Sequence, residues 1–228
     1  MRVLGIETST PVISVAVVEE NRLLGEVTFS TKQAHMERLL PLIDYLLNGL
    51  ELRLEDLDGF AVAVGPGSFT SLRVGLATGQ AFAHALGKPL IGVPTLDALA
   101  WALKGVPHLI CPVLSARFQE VYAAFYVSTE NEVKRLSSYL VLNPVELCTC
   151  LQEELRARIT FTGEGAQQYW ALFQKTLGER AALAEPSQNW PRAGFVAALG
   201  MSTLLAGEEK VPRAVEPLYV RPPAIRRD

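Results

Sequence analysis

The sequence repeats one order of strands, turns and helices, and this duplication constrains the fold more than any other feature. In each half, three strand candidates joined by short turns precede a helix, a short strand, a glycine loop and a second helix. The glycine loops correspond, with Gly65-Pro66-Gly67 in the first half and Gly163-Glu164-Gly165 in the second. Turns at residues 17–21 and 126–131 correspond as well. The sequence therefore predicts a β-β-β-α-β-α unit that occurs twice.

The predicted elements divide the chain into two lobes. In the N-terminal lobe, residues 1–105, we expect strands at 2–6, 12–18, 22–29, 60–64 and 90–93, and helices at 35–50, 70–86 and 96–103. In the C-terminal lobe, residues 106–228, we expect strands at 109–114, 121–127, 133–141 and 159–162, and helices at 144–155, 166–177 and 192–205. The last helix and the tail are candidates to return to the N-terminal lobe.

This order of elements predicts an α/β fold. Three meandering strands followed by a helix-linked strand give each lobe a mixed sheet flanked by helices. A single doubly wound domain is the alternative. It would explain the helices but not the paired turns.

Composition narrows the classes of function. Hydrophobic residues make up 49% of 228 residues, which is enough for a sizeable core and excludes a disordered chain. No apolar run approaches the ~20 residues of a membrane helix, and the first apolar stretch is too short for a signal peptide, so we expect a cytoplasmic protein without a membrane partner. A net charge of −3 offers no positive field to nucleic acid. In the tail, Arg221, Arg226 and Arg227 are candidates for RNA contact, with a frayed terminus as the alternative.

Motifs for metal binding and nucleophilic catalysis are missing from the sequence. Cys111, Cys148 and Cys150 are odd in number and lack the Cys-x-x-Cys spacing, so we expect free thiols in a reducing compartment. Neither His-Glu-x-x-His nor Gly-x-Ser-x-Gly occurs. The sequence therefore predicts no metal site and no catalytic residue.

The turn after the first strand is a candidate nucleotide site. It contains an acid followed by three hydroxyls, Glu7, Thr8, Ser9 and Thr10, a combination that can hold hydrated Mg²⁺ and a phosphate. The matching turn of the second half reads Ser115-Ala116-Arg117 and has no acid. The loop at Gly65 is not a Walker loop and is more typical of a tight strand-to-helix turn. We therefore expect a degenerate nucleotide site with weak or no affinity.

Two helices of the N-terminal lobe carry more apolar and small residues than one core requires. The first helix has an apolar arc of about 160°, whereas a core-facing stripe needs about 100°. Its candidate partner-binding residues are Met36, Leu39, Leu40, Ile43, Leu46 and Leu47. The second helix has small residues at four-residue spacing, Ser71, Gly75, Gly79 and Ala83. Both stripes predict close helix packing, either against a second chain or within this one.

Six segments resemble the TsaB family of bacterial tRNA threonylcarbamoyladenosine biosynthesis, over nearly the whole chain and in order. They are Met1-Arg2-Val3-Leu4-Gly5-Ile6-Glu7-Thr8-Ser9, His35-Met36-Glu37-Arg38-Leu39-Leu40-Pro41, Gly65-Pro66-Gly67-Ser68-Phe69-Thr70-Ser71-Leu72-Arg73-Val74-Gly75, Glu120-Val121-Tyr122, Phe161-Thr162-Gly163-Glu164-Gly165 and Pro217-Leu218-Tyr219-Val220-Arg221. The sequence departs from the family pattern at Glu7 and Ser115, where aspartate is commoner.

The resemblance implies a duplicated actin-like ATPase fold, which is ribonuclease H-like. It also implies a non-catalytic scaffold or activator that binds TsaD, the subunit that transfers threonylcarbamoyl to the adenosine beside the tRNA anticodon. The small ATPase TsaE would bind this pair, Mg-ATP would be used by the complex, and tRNA would be reached only through it. In isolation the N-terminal helices would form a homodimer that competes with TsaD.

Two other functions compete with the scaffold. A stand-alone ATP-dependent kinase or ATPase of the same fold would need a second acidic turn, which Ser115 does not supply. The catalytic TsaD itself pairs two histidines four residues apart, whereas here His35 is followed at that spacing by Leu39. We therefore reject the TsaD interpretation and retain the kinase as the alternative.

Overall fold

The computed structural model describes residues 1–20, 22–30, 35–130, 132–154, 157–207, 215–218 and 220. Contacts divide the chain into two compact units. The first contains Met1–Ala98 and the last helix, and the second contains Leu99–Trp190. The boundary between the units lies after Ala98, within the helix expected at 96–103, whereas the sequence places it after residue 105. Ala98 is part of the hydrophobic core of the first unit.

The first half of the chain builds a five-stranded sheet. Its elements are β1 (Arg2–Glu7), β2 (Val12–Glu19), β3 (Arg22–Ser30), α1 (His35–Gly49), β4 (Gly59–Gly65), α2 (Phe69–Leu86), β5 (Leu90–Pro94) and α3 (Thr95–Trp101). The strand order is β3-β2-β1-β4-β5. The first three strands are antiparallel, while β4 and β5 run parallel to β1. This is the mixed sheet that the sequence predicts.

The second half builds a sheet of the same strand order. Its elements are β6 (Leu109–Ser115), β7 (Val121–Ala123), β8 (Tyr126–Ser128), β9 (Val133–Arg135), β10 (Leu140–Leu142), α4 (Pro144–Glu154), β11 (Ile159–Thr162), α5 (Glu164–Gln168), α6 (Trp170–Leu177) and β12 (Ala181–Leu183). The main path is β10-β7-β6-β11-β12, and β8 pairs with β6 and β9. The shared strand order confirms the predicted duplication.

The second half is more broken than the sequence predicts. The strand expected at 121–127 is interrupted between β7 and β8. Val113 pairs with Ala123 and Ile110 pairs with Tyr126, and this register puts Pro112 opposite Ala124. Proline has no N–H to donate to a ladder. The strand expected at 133–141 divides around residues 136–139, where the Ser137 hydroxyl accepts a hydrogen bond from the Phe125 amide.

Two further differences follow in the second half. The helix expected at 166–177 is divided at Tyr169, whose φ of −104° and ψ of 14° are not helical. Sequence analysis missed β12, which takes the place that β5 has in the first sheet. Its three residues are too few to show a periodic pattern.

The last helix, α7 (Ala193–Leu205), packs directly against the first sheet. A Cβ on Gly5 would lie 2.3 Å from the Ala193 carbonyl oxygen, and one on Gly200 would lie 2.4 Å from the Ala61 Cβ. The start of α7 is held by Glu26, which pairs with Arg192 and accepts a hydrogen bond of 2.9 Å from the Gly194 amide. The close packing at Gly5 and Gly200 and the contacts of Glu26 all place the last helix in the first unit.

The opposite face of the first sheet is covered by α1 and α2. Ile6 follows Gly5 in β1 and therefore points away from α7. Its Cγ2 lies 3.5 Å from where a Cβ on Gly75 of α2 would be. No helix among the described residues is long and apolar enough to span a membrane. The arginines of the tail proposed for RNA contact, Arg221, Arg226 and Arg227, lie outside the described residues.

Candidate functional site

The polar residues between β1 and β2, called the first hairpin (residues 7–12), are buried. The exposed fraction is zero for Glu7 and Thr8, 1% for Ser9 and 4% for Thr10. Most polar residues lie at the surface, and a buried cluster of them must find its hydrogen bonds within the protein. The polar side chains of the first hairpin are therefore enclosed by the protein and do not form a solvent-exposed turn.

Glu7 is a buried acid with only one of its oxygens satisfied. Its Oε1 accepts a hydrogen bond of 2.5 Å from the Ser9 amide, while Oε2 has no partner among the described residues. Burial raises the pKa of Glu7 to about 7, against hydrogen bonds from Ser9 that lower it. The carboxyl is thus partly neutral near pH 7, and a neutral carboxyl is a poor ligand for Mg²⁺.

The glycine loop that follows β4 presses against the first hairpin. A Cβ on Gly67 would lie 2.2 Å from the Ser9 carbonyl oxygen, which itself accepts a hydrogen bond of 2.7 Å from the Ser68 amide. Only glycine allows two backbones to approach this closely. The role of the Gly-x-Gly signal here is this close backbone contact.

The first turns of α2 complete the contact. The Thr8 hydroxyl donates a hydrogen bond of 2.9 Å to the Ser71 carbonyl oxygen. Gly75 leaves room for it, because a Cβ there would lie 2.5 Å from the Thr8 Oγ1. The structure therefore brings Thr8 of the candidate nucleotide site next to Ser71 and Gly75 of the candidate partner stripe.

The second hairpin, residues 115–121, repeats this arrangement with the acid in another place. Glu164 of the second glycine loop accepts hydrogen bonds from the Ser115 amide and hydroxyl, both 2.7 Å long. Cβ atoms on Gly163 and Gly165 would lie 2.3 and 3.0 Å from the Val113 carbonyl oxygen. Sequence reasoning missed Glu164 because it searched for an acid only at the hairpin. The signal was the middle position of the glycine loop.

The described residues contain no group of three His, Cys, Asp or Glu side chains that could hold a metal ion. Cys111 and Cys148 are buried in the second core, and burial raises the pKa of both thiols. All three cysteines are free.

The candidate partner-binding residues of α1 separate into a buried and an exposed group. Four of them are in the core of the first unit: Leu39, Ile43, Leu46 and Leu47. Leu40 is 54% exposed, and Tyr45 on the same helix is 70% exposed. The side chain of Met36 lies outside the described residues.

The small-residue stripe of α2 packs on the protein's own sheet. Gly75, Gly79 and Ala83 are buried, and Ser71 is half-buried. A Cβ on Gly79 would lie 3.1 Å from the Leu90 Cδ1 of β5. The interpretation of this stripe as internal packing therefore accounts for these three residues. The opposite side of α2 is exposed, and its members are Phe69, Arg73, Ala77, Ala81 and Ala85.

The model of the family described as "TsaD: tRNA N6-adenosine threonylcarbamoyltransferase" matches residues 22–226. The chain belongs to this family. It is 28% identical over 225 residues to the tRNA threonylcarbamoyladenosine biosynthesis protein TsaB of Escherichia coli, covering 97% of this chain and 95% of that protein. The resemblance to TsaB is thereby confirmed.

Solved structures agree with the family. YeaZ from Pseudomonas aeruginosa is similar with a TM-score of 0.80 and 27% identity, over 96% of this chain and 99% of that one. ROK hexokinase from Thermus thermophilus has a TM-score of 0.54 at 11% identity, over 91% and 100%, which shows the fold alone. The predicted fold class, an actin-like α/β duplication, is confirmed.

Proposed function

We propose that the chain serves the synthesis of threonylcarbamoyladenosine in tRNA as a non-catalytic subunit that binds a TsaD-like transferase. Its similarity to TsaB supports the process. The observation that carries the non-catalytic role is the burial of the first hairpin, whose Thr8 hydroxyl is engaged with Ser71. In the second hairpin the acid is engaged as well, because Glu164 binds Ser115.

These contacts oppose nucleotide chemistry by the lone chain. A Mg-phosphate group needs ionised carboxylates and free donors. Here Glu7 is held partly neutral by burial, and the Thr8 hydroxyl is already bound to the Ser71 carbonyl oxygen. We expect Mg-ATP affinity to be poor, so Mg-ATP would be used by the complex and not by this chain.

Binding of a TsaD-like subunit would use the exposed sides of α1 and α2. A TsaD-type transferase of Rhizobium leguminosarum is 36% identical to this chain over 134 residues, which supports a partner built on a related fold. Related chains can present related helices to each other, as in a two-fold pair. We therefore expect a homodimer in isolation that the TsaD-like subunit displaces, with a TsaE-like ATPase and tRNA reached through that pair.

The partner surface is tested by adding charge to each exposed side. Leu40→Glu on α1 and Ala81→Glu on α2 should weaken co-purification with the TsaD-like subunit of the same source by about tenfold or more, because an unpaired charge would be buried in the interface. Val145→Glu is the matched control, since Val145 is 58% exposed on α4 of the second unit. Equal effects of all three changes would contradict this surface. Gly79→Leu is unsuited, because it would overpack Leu90 and lower stability instead.

The alternative of a stand-alone ATP-dependent kinase or ATPase is tested on the chain alone. Calorimetry with Mg-ATP should show no affinity in the micromolar range, and hydrolysis should not exceed that of the Glu7→Ala variant. Turnover that persists through repurification and falls in Glu7→Ala would favour the enzyme and reject the scaffold.

A further inference from the structure

The tip of the second hairpin combines strong exposure with an unfavourable backbone. The tip is the short 3-10 turn Arg117–Gln119 between β6 and β7. Phe118 is 87% exposed, more than any other large hydrophobic side chain among the described residues. It has φ 61° and ψ 35°, and Gln119 has φ 60°. Left-handed backbone is costly for residues other than glycine, and such strain is concentrated at functional sites.

The Phe118 ring lies outside the hydrophobic core that the described residues of the second unit form. A ring that points into solvent contributes little to the core. The backbone of the tip is nevertheless well defined, because the Ala116 amide donates a hydrogen bond of 2.8 Å to the Glu120 carbonyl oxygen. The protein therefore holds an aromatic ring in solvent at a cost in backbone energy.

The base of the second hairpin supports its tip through direct contacts with the second glycine loop. Glu164 binds both the amide and the hydroxyl of Ser115, and Gly163 lets the second glycine loop contact β6 directly. A ring on a rigid support loses little conformational entropy when it binds a partner. The tip is suited to recognition.

The residues beside the ring indicate the kind of partner. Arg117 is exposed and forms no ion pair with any residue of the described ranges. Gln119 is also exposed and carries an amide that can donate and accept. A ring, a guanidinium and an amide are the groups that bind a splayed base, its phosphate and its edge. Aromatic and arginine side chains are also enriched at protein interfaces, so a protein contact is the competing outcome of the test.

We infer that the tip Arg117–Gln119 contacts single-stranded RNA, with Phe118 stacked on an unpaired base and Arg117 on a neighbouring phosphate. The inference rests on the proposed function in one respect, that the RNA in question is the tRNA of that reaction. One stacked base and one phosphate contact bind weakly, so affinity of the lone chain should be low, as its net charge of −3 also requires.

The first experiment measures binding of the lone chain to a short labelled single-stranded oligoribonucleotide by fluorescence anisotropy. Phe118→Ala should weaken binding about tenfold, the loss expected for one stacked base. Phe118→Trp should retain binding, and Val145→Ala is the control for an exposed apolar residue. Arg117→Ala should reduce the slope of affinity against salt by about one phosphate contact.

The second experiment separates recognition from a structural role. Phe118→Gly should raise the melting temperature, because glycine adopts positive φ without strain, and should lose RNA affinity. Gln119→Gly should raise the melting temperature and keep the stacking ring. A lower melting temperature in Phe118→Gly would make the ring structural and overturn the inference.

Three further results would overturn it. The first is no RNA binding by the wild-type chain at its highest soluble concentration. The second is an unchanged RNA affinity in Phe118→Ala. The third is a Phe118→Ala variant that loses only its co-purification with the TsaD-like subunit, which would make the tip a protein contact. Failure of the proposed function is a different result. It would appear as no association with the TsaD-like subunit, while RNA binding by the lone chain and its dependence on Phe118 would be unaffected.

Discussion

The two hairpins of this chain are both contacted by a glycine loop, but the polar residues of the first are buried and the tip of the second is exposed. Each is contacted by a Gly-x-Gly loop whose first glycine has a positive φ, 104° at Gly65 and 98° at Gly163. In the first hairpin the acid is Glu7 on the hairpin itself, and the hydroxyls beside it are buried. In the second the acid is Glu164 on the glycine loop, and the tip is exposed at Phe118.

The difference shows which part of the repeated unit is backbone geometry and which is chemistry. The close approach of loop and hairpin depends on glycine and recurs in both units. The acid needs only to reach a hairpin amide, and it can do so from either side of the contact. One hairpin therefore forms a buried polar cluster, while the other exposes an aromatic side chain at its tip.

The largest effect is expected where the two units are most alike. Gly67→Ala should cost roughly 3 kcal/mol, because its Cβ would lie 2.2 Å from a backbone oxygen that cannot move away as a side chain would. Gly165→Ala, the matching change in the second unit, should cost less, since its nearest atoms are 2.9 to 3.0 Å away. Urea unfolding of both variants measures the difference. An equal or reversed order would mean that the hairpins are not equivalent supports.

A pH effect should distinguish the first hairpin from the second. The pKa of Glu7 is raised from 4.5 to about 7, so folding takes up a proton between these values. The stabilisation is fully present below pH 4.5 and is lost as the pH rises through about 7, by up to about 3 kcal/mol at 1.36 kcal/mol per unit of pKa. Glu7→Gln, which mimics the neutral acid, should remove this loss and be the more stable chain at pH 8.

Unfolding free energies at pH 5 and pH 8 check this expectation. Glu130→Gln is the control, because it makes the same change at an exposed acid of the second unit. A Glu7→Gln variant with the pH dependence of the wild type would show that another group titrates.

The smallest effect is expected at the acid of the second hairpin. Glu164→Ala should cost about 1–2 kcal/mol, because it removes hydrogen bonds from the Ser115 amide and hydroxyl to a charged group in a partly solvated place. Glu164→Gln keeps an acceptor and should cost less. A double-mutant cycle with Ser115→Ala isolates the hydroxyl contact. A cycle without coupling would show that the contact between Glu164 and the Ser115 hydroxyl does not stabilise the second hairpin.

Local sequence patterns were sufficient for most of the fold. The β-branched run of β2 and the helical spacing of α1 are short-range signals, and the two glycine loops marked the repeat. The interruption beside Pro112 follows from a residue visible in the sequence, but its position opposite Ala124 depends on the register between strands. Residues far apart in the chain set that register, so it could not be predicted.

The sites show the same limit more strongly. Periodicity identified the stripe of Gly75, Gly79 and Ala83 on α2, yet a stripe has no direction until the helix is placed on a sheet. In the structure these residues lie against their own sheet, and the exposed side carries Ala77 and Ala81. The choice between internal packing and a partner contact is thus made by the position of the helix and not by its sequence.

The sequence by itself determined the repeated unit, the class of fold, the family and the acidic turn at Glu7, because these depend on neighbours along the chain. Only the tertiary structure decided that this turn is buried, that Glu164 binds a hairpin 49 residues away, and that Phe118 is in solvent. Burial and long-range hydrogen bonds arise when distant segments meet. The free energy of each polar group depends on that meeting, because a carboxyl has a different pKa in a core than in water.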